Sequence, residues 1–290
     1  MSGAGETGLG VSGVGETGAG VAGEGASVEV CQAHLPVRPW AEPRTSRLPG
    51  LNPVAPGDWL VVDDVYVAQM ALRDRLLAER GDVVLRQAPG AAPAAAELLA
   101  LILEELAAVP GYRIGADDVA CPDGRRVALD RSHPLETAAR LVQEDLLILE
   151  QPEGAEEHVL TAGVLCFPAS WSLGEKFLRP LTGIHTPVDV YDAELARRVQ
   201  RLFDGIRAGR PMWRANALVY ADPALFQPRT EADRRPKPPA GRRWLRSERQ
   251  CLVRLPETRA VVFTIHTFVV PFERLLPQDR AHFSGTGAGV

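Results

Sequence analysis

The run from Ala260 to Val270, AVVFTIHTFVV, constrains this chain more than any other stretch. It is β-branched and aromatic throughout and reads as an extended strand. The apolar pattern changes period on the way to it. Asp63-Asp64 supplies a cap for a helix through about Arg80, with Tyr66, Met70, Leu76 and Leu77 near helical spacing and Gly81 as its stop. A second helix is predicted from Ala94 to Ala108, and a third begins near Ser132 with Pro134 in its first turn and runs into Gln143-Glu144-Asp145. From there the signal is mostly strand: Leu146 to Glu150, His158 to Phe167, Trp213 to Tyr220 and Gln250 to Leu255. One clear helix crosses among them over residues 191–208, with Leu195, Val199, Leu202, Phe203 and Ile206 on one stripe. Helices followed by strands predict an α+β fold with an antiparallel sheet.

Composition narrows the function classes. The 290 residues are 46% hydrophobic and 24% charged, enough for a sizeable core. A net charge of −5 argues against a general nucleic-acid binder or a membrane-surface protein, and no apolar run approaches a membrane span. The expectation is a soluble, cytoplasmic protein. Residues 2–21 repeat a Gly-rich decapeptide with few large side chains, so residues 1–27 are expected to be a disordered tail. The Gly3-x-Gly5-x-x-Gly8 spacing there follows no strand and opens no helix, and carries no dinucleotide meaning. The four cysteines are scattered with no C-x-x-C, so neither a zinc knuckle nor an iron–sulfur cluster has support. Cys166 reads as a small core residue. The Pro-rich, charged stretch 227–243 reads as a surface loop, and 276–290 as a flexible tail.

Candidate site residues cluster after the third helix. The segment Leu160–Tyr191 passes from an apolar strand through Pro168 to Trp171, Glu175 and Lys176, and then to Ile184-His185-Thr186-Pro187. A single histidine such as His185 supplies one axial bond to a haem iron and leaves the other face open; the plain alternative is a loop histidine satisfied by backbone. His266, on a strand face with Thr264 and Phe268, is its rival, as a core histidine or a second pocket group. Lys176 suits an acidic ligand group and Glu175 a cation, unless both merely start a solvated helix. Alternation in Arg246–Pro256 puts Glu248, Gln250 and Leu252 on one strand face and Arg249, Cys251 and Val253 on the other. Arginine at such a place commonly grips a carboxylate in bidentate fashion, a haem propionate included. Arg214 and Asn216 share a strand face that lines a pocket or meets water.

These blocks together resemble the haem-dependent oxidative N-demethylase alpha-subunit-like family. The resemblance is carried by Gln143-Glu144-Asp145-Leu146, Cys166-Phe167-Pro168-Ala169-Ser170-Trp171, Glu175-Lys176, Ile184-His185-Thr186-Pro187-Val188, Arg214-Ala215-Asn216, Glu248 through Pro256, and Val262 through Thr267. They run from about Leu51 to Pro271. The resemblance implies one PAS-like domain over residues 28–275, an antiparallel sheet with flanking helices enclosing a haem b cavity. It also implies oxidative removal of a methyl group from a small, dimethylamine-like alkylamine, consuming oxygen and releasing formaldehyde. Carried onto this chain, His185 is the iron ligand. Arg214, Arg249 and Trp171 are cofactor contacts, and Glu175, Lys176 and Glu248 serve the reaction or support the pocket. The chain has no flavin or nicotinamide fingerprint of its own, so electrons are expected from a separate reductase carrying flavin and an iron–sulfur centre. The same haem pocket without turnover would make a PAS-like sensor, and the fold without haem an interaction protein. Two positions depart from the family pattern: Ala217 stands where tryptophan is usual, and Phe177 where glycine is.

Overall fold

A computed structural model describes residues 30–46, 50–55, 57–185, 193–233 and 241–285. The expected tail over residues 1–27 lies outside the described residues. The run that opened the sequence reading is β10 (Val261–Pro271), and it pairs along its whole length with β9 (Trp244–Arg254). On its other side lies β6 (Asp145–Glu150), followed by β7 (Val159–Val164) and the short β2 (Leu85–Gln87). Beyond β9 come β8 (Met212–Tyr220) and β1 (Asn52–Pro53), which completes a seven-stranded sheet in the order β1-β8-β9-β10-β6-β7-β2. Every pairing in it is antiparallel. The fold is α+β.

Two helical layers flank this sheet. On the back lie α2 (Tyr66–Val84), α3 (Ala92–Leu106) and α4 (Pro134–Ala139), after the one-turn α1 (Pro43–Ser46). Met70, Leu98, Ile102 and Leu135 from these helices form one core with Leu146, Ile148, Cys251 and Val253 of the sheet. On the front lie α5 (Leu173–Lys176), α6 (Leu181–His185) and α7 (Ala193–Gly205). Leu181, Phe203 and Ile206 meet Leu147, Leu149, Leu252 and Ile265 there. The period-2 rule accounts for the split, because neighbours on a strand take opposite faces. The back core is closed; the front is not.

Several expected boundaries shift. Helix α2 continues past Gly81 to Val84, with a kink at Arg80 (φ −136°, ψ 30°). Helix α4 stops at Ala139, because Asp145 is drawn into β6. Strand β9 begins six residues before the expected Gln250. A small sheet of β3 (Arg113–Ile114), β4 (Asp118–Ala120) and β5 (Arg126–Ala128) had no strong periodicity to announce it. Within the stretch read as a C-terminal tail, α8 (Pro277–Gly285) buries Phe283 against Trp40, and Asp279 accepts hydrogen bonds from Arg38 and Trp40.

Gln143-Glu144-Asp145 is explained residue by residue. Asp145, fully buried, accepts the N–H groups of Cys166 and Phe167 at 2.8 and 2.9 Å and pairs with the buried Arg73 at 3.0 Å. Arg73 also lies 4.6 Å from the Phe167 ring centroid and donates to the Gln143 carbonyl. Glu144 and Asp63 take the two ring nitrogens of His266 at 3.0 and 3.2 Å. Gln143 bridges Asp63 to Gln69, and Gln32 joins Asp63 to β10. These bonds tie residues 30–64 to the back of the sheet.

Two outcomes follow from this network. Asp145→Ala leaves a buried guanidinium without its counter-charge and two buried N–H groups without an acceptor, an expected loss of about 3–5 kcal/mol. A urea-unfolding midpoint within error of the wild type would contradict it. Burial by itself would push the His266 pKa down, but hydrogen bonds and charge from Asp63 and Glu144 outweigh it and raise the value from 6.5 to about 9. A raised cationic pKa stabilises the fold fully below 6.5, and that stability is lost as pH rises through 9. Unfolding free energy should therefore fall between pH 6.5 and 9, and His266→Gln should flatten that slope. An equal slope in both proteins would reject the assignment.

Candidate active site

The front of the sheet and the helices over it enclose a cavity of about 790 Å³. That is within the roughly 300–1,000 Å³ of small-molecule and cofactor pockets. Its apolar side is built by alternation from Leu147 and Leu149 of β6, Phe263 and Ile265 of β10, and Val199, Leu202 and Phe203 of α7. Arg254 holds that helical wall: its guanidinium donates to the carbonyls of Phe203, Ile206 and Arg259. A cation there also complements the negative end of the helix dipole. Gln200 bonds His158, whose ring packs on Phe203 at 5.4 Å.

The polar side comes from β8 and β9. Glu248 accepts Asn216 Nδ2 at 3.2 Å and Gln250 Nε2 at 3.1 Å, both on Oε2. Its Oε1 is buried with no hydrogen bond and lies 3.7 Å from Arg246 Nε. Arg246 is itself buried and donates to the carbonyls of Phe167 and Leu225, which fixes two loops that also bridge each other at Ala169 and Gln227. Arg214 faces the same space. Its Nε is buried without a partner, and among the described residues the guanidinium makes no hydrogen bond or ion pair. Desolvation lowers the Arg214 pKa, opposed by the nearby Glu248 charge.

The mouth is formed by the corner after β7 and by a strap over residues 229–233. Trp171, Glu175 and Lys176 line it from one side, Arg229, Glu231 and Asp233 from the other. Lys176 Nζ and Arg179 Nη1 meet Glu231 Oε1 at 2.7 and 3.0 Å, and the Glu231 N–H donates to the Glu175 carboxylate at 3.1 Å. The Lys176 hydrogen bond, with the charges of Lys176 and Arg179, holds the Glu231 carboxyl below its usual range. Ser170 and Leu178, at φ 68° and 61°, bracket this corner in the left-handed region that non-glycine residues avoid. Such strain gathers where the surrounding structure holds a site in shape.

The structure brings five of the sequence-predicted residues to one cavity: Trp171, Glu175, Lys176, Arg214 and Glu248. Arg249 is not among them. Strand alternation sends it to the back, where it donates to the Asp58 carbonyl and lies 5.5 Å from the Trp213 ring centroid, so it does not contact a group held in the front cavity. Helix α6 ends at His185, and Ile184 lines the cavity, but the His185 side chain lies outside the described residues. His266 is on the back face with both ring nitrogens engaged. Ala217 also faces the back, in a cluster with Leu245, Val270 and Phe272, so the missing indole alters the core behind the sheet and not the cavity wall. Phe177 has φ −60°, which asks for no glycine.

Sequence reasoning missed Arg229, Glu231 and Asp233, which carry no periodicity and stand in a stretch read as a surface loop. It also missed Arg254 as the fastening of α7. Burial pushes the Cys166 thiol up to about 12, which leaves it an inert core residue. Among the described residues no group of three or more His, Cys, Asp or Glu side chains is placed to hold a metal ion by itself. No helix among them is long and apolar enough to cross a membrane.

A family model described as haem-dependent oxidative N-demethylase, alpha subunit-like, matches residues 50–282, about four-fifths of the chain. All seven strands of the main sheet and every residue that lines the cavity fall inside that match. The chain belongs to the haem-dependent oxidative N-demethylase alpha-subunit-like family.

Proposed function

We propose that this chain is a cytoplasmic, PAS-like subunit that holds haem b in the front cavity and oxidatively demethylates a small alkylamine. The observation that carries this reading is the cavity's division. One side is continuous aliphatic and aromatic surface, and the other carries the Glu248 carboxylate and the Arg214 guanidinium, which makes no hydrogen bond or ion pair among the described residues. Buried polar groups left open in this way fit a ligand of mixed character.

The residues fit haem. The apolar wall of Leu147, Leu149, Phe263 and Ile265 suits the macrocycle, and the orphaned Arg214 suits a propionate. His185, one residue beyond the cavity-lining Ile184, is the proposed iron ligand. When bound, haem supplies oxygen activation and the oxidation of an N-methyl group, with formaldehyde released and electrons drawn from a separate reductase carrying flavin and an iron–sulfur centre.

The chain's own groups do the positioning. Glu248 is steadied by Asn216 and Gln250 on one oxygen, and it is the cavity-wall carboxylate of β9 that suits a protonated amine. Arg246 sets a buried cation 3.7 Å from that carboxylate. Glu175 and Lys176 act on the mouth, through Glu231, and not on the substrate.

Expression with a haem precursor should give a stoichiometric Soret band that shifts under carbon monoxide after reduction. Arg214→Gln should weaken haem retention by roughly 10- to 100-fold, the worth of a charge-assisted hydrogen bond. His185→Ala should abolish retention, and His266→Ala should retain haem. Glu248→Gln should keep the Soret band but lose amine-dependent formaldehyde release. Well-folded protein with no Soret band would overturn the haem reading, and a normal band without amine turnover would replace the enzyme with a sensor.

A further inference from the structure

The mouth of the cavity contains a carboxylate site that is filled from within the chain. Lys176 Nζ and Arg179 Nη1 converge on a single oxygen of Glu231. Neither cation has another hydrogen-bond or ion-pair partner among the described residues. The three groups differ in exposure: the Lys176 side chain is 6% exposed, Glu231 32% and Arg179 43%. A buried ammonium without a counter-charge is unfavourable, so Lys176 requires a carboxylate. Nothing in its surroundings requires that carboxylate to be Glu231.

Glu231 reaches Lys176 from the strap, whose other fastenings are weak. Among the described residues they are the Glu231 N–H to Glu175, with the Arg229–Asp233 pair lying within the strap itself and the Gln227 backbone bonded to Pro168 and Ser170 at its base. Exposed contacts of this kind contribute little and are screened by salt. Lys176 itself lines the cavity, within reach of anything that fills it.

We propose that Lys176 and Arg179 form a binding site for the carboxylate of an entering amphiphilic ligand, that Glu231 occupies this site as an internal stand-in, and that exchange of one carboxylate for the other releases the strap from the mouth. The ligand class is an apolar body with an ionised carboxylate at its rim. A haem propionate and a free aliphatic carboxylate share that chemistry, and the first of these rests on the haem reading above.

Hydrogen exchange of residues 228–233, measured by mass spectrometry on the full chain, reads the strap directly. The probes are haem against haem dimethyl ester, which lacks free carboxylates, and hexanoate against hexanol at matched ionic strength. Haem and hexanoate should each raise exchange about tenfold or more, and the ester and the alcohol should not. Glu231→Gln should show the raised exchange with no ligand and should bind hexanoate several-fold more tightly. Release by haem alone would assign the site to a propionate. Release by hexanoate with no haem binding would sink the haem reading and leave the carboxylate site standing. Bound haem and saturating hexanoate with an unchanged strap would overturn the proposal, as would equal release by the ester and the alcohol.

Discussion

The ion pair between Arg73 and Asp145 is the contact on which the front of the molecule depends, although neither residue lines the cavity. Asp145 opens β6 and grips the backbone N–H groups of Cys166 and Phe167 where the chain leaves β7. Arg246 takes the Phe167 carbonyl from the other side. The backbone is thus held at both polar groups of one residue just before it turns through Pro168 to Trp171 and α5. Replacing the pair with apolar residues would recover its desolvation but would strand the two amides, so an apolar substitute of equal shape is not equivalent here. The position of the mouth is therefore set by a charge that never meets the cavity.

Strand alternation separates the two kinds of chemistry in this protein. On β9, Glu248 faces the cavity and Arg249 the back; on β10, Ile265 faces the cavity and His266 the back. On the back both His266 nitrogens, Gln143 and Gln32 have partners, while Glu144 Oε2, Thr264 Oγ1 and Arg249 Nη1 have no hydrogen bond among the described residues. The front retains open valences on Arg214 and Glu248. A one-residue slip of β9 or β10 would put Arg249 or His266 into the apolar cavity, and a slip of β9 would cost Glu248 its cross-strand bond from Asn216. The pairing of β9 with β10 over eleven residues makes such a slip prohibitive.

Much of this was legible in the sequence, and the failures have physical reasons. The α7 stripe of Val199, Leu202 and Phe203 became the cavity wall, because helical periodicity reports a buried face directly. The alternation of Glu248, Gln250 and Leu252 likewise placed all three in the cavity. Arg249 lies on the opposite face, as that same alternation requires, so its side chain does not line the cavity. The early stop of α4 and the long reach of β9 were hidden because Asp145 and Arg246 are charged residues drawn into strands by tertiary partners, against their propensity. The strap was hidden for a different reason. Its fixing point is Glu231 on Lys176, a contact 55 residues apart that no local pattern encodes.

The fastenings of the cavity are unequal, and their magnitudes decide which part can give. Arg246 and Arg254 hold the loop and helix walls through buried guanidinium–carbonyl bonds. Hydrogen bonds to a charged group are worth about 1.5–3 kcal/mol each when buried, and breaking one also strands a charge. The strap hangs on the partly exposed Arg179–Glu231 pair, which solvent screens, and on one buried ammonium that any carboxylate satisfies. On the proposal above, access to the interior runs past Glu231 while the walls held by Arg246 and Arg254 stay in place. The same asymmetry explains why the sequence places Glu175 and Lys176 together at the rim. One anchors the strap backbone and the other its side chain, so a single turn of helix controls both.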